Sequence, residues 1–124
     1  MLYAILCYNQ EDVVGAWSRQ EEDSVMAALI AVQKPLVDAG RLGPVARLLP
    51  TTAATTLRKN GTEPLVIDGP FAETKEQLLG FYVFDGADLD EAIDFARDLA
   101  KANPGPGSYE IRPLRVFRPG AALT

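Results

Sequence analysis

Two carboxylates and an ammonium group stand close together at Asp68, Glu73 and Lys75, in the stretch D-G-P-F-A-E-T-K-E over residues 68–76. Neighbouring carboxylates with a cation beside them can keep one acid neutral and the other ionised. That is the arrangement needed to draw a proton from a weakly acidic carbon. It would suit a cofactor-independent isomerase or lyase acting on a small organic acid or lactone, with Asp68 or Glu73 as base and Lys75 tuning them. Plainer roles are open to the same residues. Asp68 and Gly69 make a turn, Pro70 sets φ where a strand ends, and Glu73, Lys75 and Glu76 form a solvated charged turn. Phe71 is expected to anchor the connection with a buried ring, or else to serve as a ligand platform.

Other side chains could complete a site. Tyr8 and Tyr82 sit on apolar runs, from which their hydroxyls could reach a cavity on a sheet face. Arg47, Arg58 and Arg112 could grip an anionic ligand as forked donors, or remain solvated charges. Cys7 lies in apolar company, where a thiol is poorly ionised and inert. The chain contains no histidine. That removes Ser-His and Cys-His nucleophile activation, histidine acid-base chemistry and nearly all zinc sites. No metal, nucleotide or other cofactor motif is present, so none is expected.

With 124 residues the chain is long enough for one cored domain, expected to span residues 1–124, and too short for two. Nearly half of it is apolar, 48%, which fits a soluble globular protein. A net charge of -5 gives nothing to counterion release on a phosphate backbone, arguing against nucleic acid as a partner. No apolar run reaches the roughly 20 residues of a membrane span. The start, MLYAILCYNQED, lacks the basic region of a signal peptide, so a cytoplasmic location is expected.

The elements that must position these groups follow from periodicity. Residues 2–8 and 78–84 are continuous apolar runs of strand length. Residues 9–15 are expected to be a polar loop. Ser18 and Glu21 have capping-box spacing, with Val25, Leu29, Val32 and Leu36 at helical spacing behind them and Gly40 as C-terminal cap. Pro35 is expected to kink that helix or end it early. Residues 41–50 hold a short strand. Residues 55–59 and 62–67 flank Asn60-Gly61, a strong hairpin signal. Asp88 and Glu91 cap a second helix with Leu89, Ile93, Ala96 and Leu99 as its buried stripe. A last strand over residues 109–117 carries Pro113, which an edge tolerates. With the hairpin set aside as an insertion, the order is βαββαβ, a split ferredoxin-like α+β arrangement.

Both long runs are apolar on both faces. Alternation puts Leu2, Ala4, Leu6 and Tyr8 opposite Tyr3, Ile5 and Cys7, and Leu79, Phe81 and Val83 opposite Gly80, Tyr82 and Phe84. Two helices cover one face of such a sheet. The other would be bare, and a large bare apolar face predicts association. A homodimer packed through the sheet face is therefore expected, loops folded over the sheet being the alternative.

The block D-G-P-F-A-E-T-K-E-Q-L-L-G-F-Y over residues 68–82 resembles the signature of DGPF-domain proteins, a branch of the YCII-related family. The likeness extends to the M-L-Y-A-I-L opening, D-A-G-R-L at residues 38–42, T-A-A-T-T-L-R at residues 52–58 and E-I-R-P at residues 110–113. The resemblance implies a dimeric α+β barrel, two ferredoxin-like subunits packed sheet to sheet. Some relatives resemble muconolactone-isomerase-type enzymes, and others carry a proposed His-Asp pair. DGPF members are often encoded beside extracytoplasmic-function sigma factors, which implies a regulatory context. Asp38 corresponds to the aspartate of that pair, yet this chain has no histidine to join it. Three readings follow. One is a small-molecule-binding module whose unknown ligand meets Asp68, Pro70, Phe71, Glu73, Lys75, Tyr8, Tyr82 and Arg47. The others are a carboxylate-based isomerase or lyase, and a sigma-factor-associated interaction module.

Overall fold

The computed structural model describes residues 1–59 and 61–123. The first apolar run forms β1 (Leu2–Asn9), followed by a short helix α1 (Glu11–Gly15), a long helix α2 (Arg19–Asp38) and β2 (Leu42–Arg47). Two short strands, β3 (Thr55–Arg58) and β4 (Leu65–Asp68), precede β5 (Gln77–Asp85), α3 (Leu89–Ala102) and β6 (Gly107–Pro113). The main sheet has the order β2-β5-β1-β6 and is antiparallel throughout, while β3 and β4 pair only with each other. The α+β ferredoxin-like expectation holds, with both apolar runs central and Pro113 on the edge strand.

The caps work as their spacing requires. The Ser18 hydroxyl accepts from Glu21 N at 3.1 Å, and Ser18 N donates back to the Glu21 carboxylate at 3.2 Å. Gly40, at φ +69°, ends α2. Gly40 N donates to Val37 O and Arg41 N to Leu36 O, the paired bonds of a Schellman motif. Asp88 accepts from Glu91 N at 2.9 Å at the start of α3.

Several local expectations need correction, among them the burial of Leu89, which is 53% exposed at the start of α3. Residues 11–15 form a helix rather than a loop, a single turn too short to show periodicity but with Glu11 and Asp12 favourably placed at its N-terminus. Pro35 does not end α2 early, for the helix runs on to Asp38. It sits in the last turn, where the carbonyl it orphans belongs to exposed Ala31 and can be hydrated. In the hairpin, Arg58 pairs with Leu65, so the connection spans residues 59–64 rather than two. Pro64 has no N–H to give a ladder, and the strand begins after it. Of the expected Asn60-Gly61 turn, Asn60 lies outside the described residues and Gly61 has φ +76°. Finally, β5 carries one extra residue. Cys7 pairs with Gly80 but Tyr8 with Leu78, leaving Leu79 as a bulge. Leu79 thereby leaves the face of Phe81 and Val83.

The core lies between one face of the sheet and the helices. Tyr3, Ile5, Cys7, Tyr82 and Phe84 meet Ala92, Phe95, Ala96 and Leu99 of α3, with Leu29, Val32 and Leu36 of α2 alongside. Phe84, Ile5 and Leu99 are fully buried, each stabilising the fold by about 1.5–3 kcal/mol through burial. Phe84 stacks at a tilt on Phe95 with ring centroids 4.9 Å apart. On the opposite face, Leu2, Ala4, Leu6, Tyr8, Leu78 and Phe81 are only half-buried within the chain, while Val83 is buried.

Candidate functional site

The expected site residues bear on two concavities, both reaching β5. The outer one is a groove of about 620 Å³ lined by Asp68, Pro70, Glu73 and Lys75 together with Glu11, Asp12, Thr51 and Thr52. Local bonds shape it. Glu11 accepts from both Thr51 N and Thr51 Oγ1 at 2.7 Å, tying α1 to the turn after β2. Gln77 Nε2 donates to the carbonyls of Ala72 and Thr74, and Ser108 Oγ donates to the Glu76 carboxylate at 2.6 Å. Gly69 holds φ +113°, a conformation side-chain-bearing residues rarely adopt, and its N–H donates to Ala54 O. The groove thus brings four of the expected site residues together. Yet Asp68, Glu73 and Lys75 are all exposed, and among the described residues none of the three ion-pairs with another.

The inner concavity is a cavity of about 120 Å³ between the helix-side face of the sheet and α1–α2. Its walls are Val14, Trp17, Val25, Met26, Leu29, Val45 and Leu79, and Gly80 forms part of its floor. A Cβ at Gly80 would lie 2.6 Å from the Ala46 carbonyl oxygen, so only glycine lets β2 approach this closely. Polar groups converge on the apolar walls: Asn9, Gln33, Asn103, Tyr82 and Tyr109. Burial pushes the Tyr82 hydroxyl up to about 12, helped by Cys7 and Tyr109 and opposed by the Gln33 amide and Arg47. Burial likewise pushes the Cys7 thiol up to about 12 and raises Tyr109, with the Asn103 amide pulling Tyr109 back. Cys7 is thus an inert core thiol, as its neighbours implied. Arg47 stands where the cavity meets a further depression of about 380 Å³, its guanidinium 2.6 Å from the Glu22 carboxylate.

The expected site residues therefore separate. Asp68, Pro70, Glu73 and Lys75 line the groove, whereas Tyr82 and Arg47 line the cavity. Tyr8 lies on the other sheet face, its hydroxyl 3.3 Å from Glu110. Phe71 is 75% exposed and lines neither concavity, so its ring is no anchor. Its backbone does that work instead, its carbonyl accepting from Arg58 Nη2 at 2.8 Å. Asp38 ends α2 beside Lys34, away from both concavities.

Sequence reasoning missed Asn9, Gln33, Asn103 and Tyr109. A signal was present for two of them. Asn9 is in phase with buried Tyr3, Ile5 and Cys7, a polar residue where a fourth apolar one belongs, and it is 8% exposed. Tyr109 is in phase with Ile111 and faces Cys7 across the ladder.

A four-stranded antiparallel sheet with helices on one face, a cavity beneath them and an apolar opposite face defines a ferredoxin-like domain. The chain belongs to the YCII-related domain family, whose sequence profile matches residues 1–118. It is also similar to an uncharacterised protein of Rhizobium meliloti (strain 1021), 66% identical over 120 residues, covering 97% of each chain. No helix among the described residues is long and apolar enough to cross a membrane.

Proposed function

We propose that this chain is a small-molecule-binding module whose ligand occupies the inner cavity. One observation carries the reading: apolar walls with a few convergent amides and phenols, the usual make-up of a ligand pocket. We place it in the cytoplasm as a homodimer paired through the sheet face of Leu6 and Phe81, since helices cover only the other face. The groove borders this site rather than forming it. A carboxylate acting as base needs shelter from water, and the exposure of Asp68 and Glu73 gives them none in one chain, so the isomerase or lyase reading is the weaker one. The interaction reading, with a sigma factor or another partner, draws on one feature. The β3–β4 hairpin exposes Leu57, Leu65 and Val66 at 62%, 58% and 64%.

A thermal-shift screen of small metabolites tests the main reading. Ligands that raise the melting temperature of the wild type should leave Leu29→Trp, which fills the cavity, unmoved. Hits that shift both proteins equally would put the ligand elsewhere. Light scattering tests the pairing: the wild type should have twice the mass of one chain and Phe81→Glu the mass of one. A wild-type mass equal to one chain would refute the homodimer.

A further inference from the structure

The cavity's chemistry says what kind of molecule it would accept, given the reading that it is a ligand site. The first observation is charge. Among the described residues, Arg47 is the only permanently charged side chain on the lining, and Glu22 already neutralises it at 2.6 Å. The other ionisable lining groups, Cys7, Tyr82 and Tyr109, are shifted toward their neutral forms by burial. A carboxylate, phosphate or ammonium entering this space would lose its hydration with no counter-charge to replace it, which is strongly unfavourable.

The second observation is an unmet acceptor. Asn103 closes the C-terminus of α3, its N–H donating to Leu99 O. Its side chain lines the cavity beside Tyr109, and its Oδ1 is shielded from bulk water with no donor reaching it among the described residues. A buried carbonyl oxygen without a donor is destabilising, so native structures seldom keep one without a reason. A guest with a hydroxyl or N–H supplies the missing proton.

The third observation is size. The volume of about 120 Å³ compares with the roughly 150 Å³ apolar cavity that accepts benzene. The walls contributed by Trp17, Leu29 and Met26 suit an apolar body.

We propose that the cavity selects a small, uncharged, largely apolar molecule carrying one hydroxyl or N–H, which it donates to Asn103 Oδ1. Phenols and compact cyclic alcohols are the class that fits.

Titration calorimetry on the full chain at pH 7 with phenol, anisole, benzene and benzoate tests each element. Phenol should bind best. Anisole and benzene, which cannot donate to Asn103, should bind about tenfold or more weakly. Benzoate should not bind. In Asn103→Ala the advantage of phenol over benzene should vanish. Should that variant fail to fold, the wild-type phenol-to-benzene ratio still decides. Equal wild-type affinity for phenol and benzene would remove the donor rule while keeping the cavity as a ligand site. Tighter binding of benzoate than of phenol would overturn the neutral-guest rule. No binding by any probe, together with an empty metabolite screen, would overturn the ligand-site reading itself.

Discussion

The groove and the cavity share no lining residue and are made of opposite materials. The groove collects Glu11, Asp12, Asp68, Glu73 and Lys75, the conspicuous chemistry of the sequence, and leaves much of it in water. The cavity collects amides, phenols and aliphatic walls from β1, α1, α2, β2, β5, the end of α3 and β6, of which the sequence marked only Tyr82 and Arg47 as site residues. Charge is cheaply kept where solvent reaches it. A place for a neutral guest needs surfaces that water has left. The difference teaches that a dense motif marks where a loop must be shaped, and that the loop's shape need not be the site.

The sharpest contrast lies between two phenylalanines. Phe84→Ala, on the cavity side of the sheet, should cost about 3–5 kcal/mol by leaving a void beneath α3. Phe71→Ala, beside the groove, should change stability by no more than about 0.5 kcal/mol. Urea unfolding of both variants checks the pair, and similar losses would erase the distinction. A smaller effect is expected at Gly80→Ala, where the added methyl must push β2 away from β5. A loss of about 1–3 kcal/mol should appear in the same measurement.

Alkali should weaken the cavity side of the sheet. Cys7 and Tyr82 rise on folding from 9.0 and 10.0 to about 12, so between those values the unfolded chain has released protons that the folded chain retains. Stability from these groups is complete below about pH 9 and falls as pH climbs toward 12. The urea midpoint should drop between pH 9 and 11, and less steeply in Cys7→Ala. A drop just as steep in that variant would remove Cys7 from the account. The smallest effect belongs to the outer side. Asp68→Ala with Glu73→Gln should leave every ligand-induced thermal shift within error of the wild type. Loss of the shifts would move the site to the groove.

Much of the architecture was legible because it follows from local rules. The runs at residues 2–8 and 78–84 are apolar enough to be central strands, and Ser18, Gly40 and Asp88 punctuate the helices with their own hydrogen bonds. Where reading failed, the deciding interaction was distant or too brief to leave a pattern. α1 is one turn long. Leu79 becomes a bulge only in its pairing with β1, and α2 runs past Pro35 only by its last few residues. The convergence of the cavity's polar groups was hidden for the same reason, although Tyr82 and Arg47 were marked one by one. Asn9, Gln33, Asn103 and Tyr109 stand far apart along the chain and meet only after the sheet and helices have packed.

The extra residue in β5 has a bearing on how this chain can change over time. On one side of Leu79 the strand's odd and even positions have exchanged faces relative to the other, so a one-residue gain or loss there would turn Gln77 and Leu78 inside out. Length drift among kin should gather instead in residues 59–64, where the ladder between Arg58 and Leu65 is closed by a connection that no register governs. An alignment showing gaps at residues 77–80 in chains that keep the tyrosine at position 82 would contradict this.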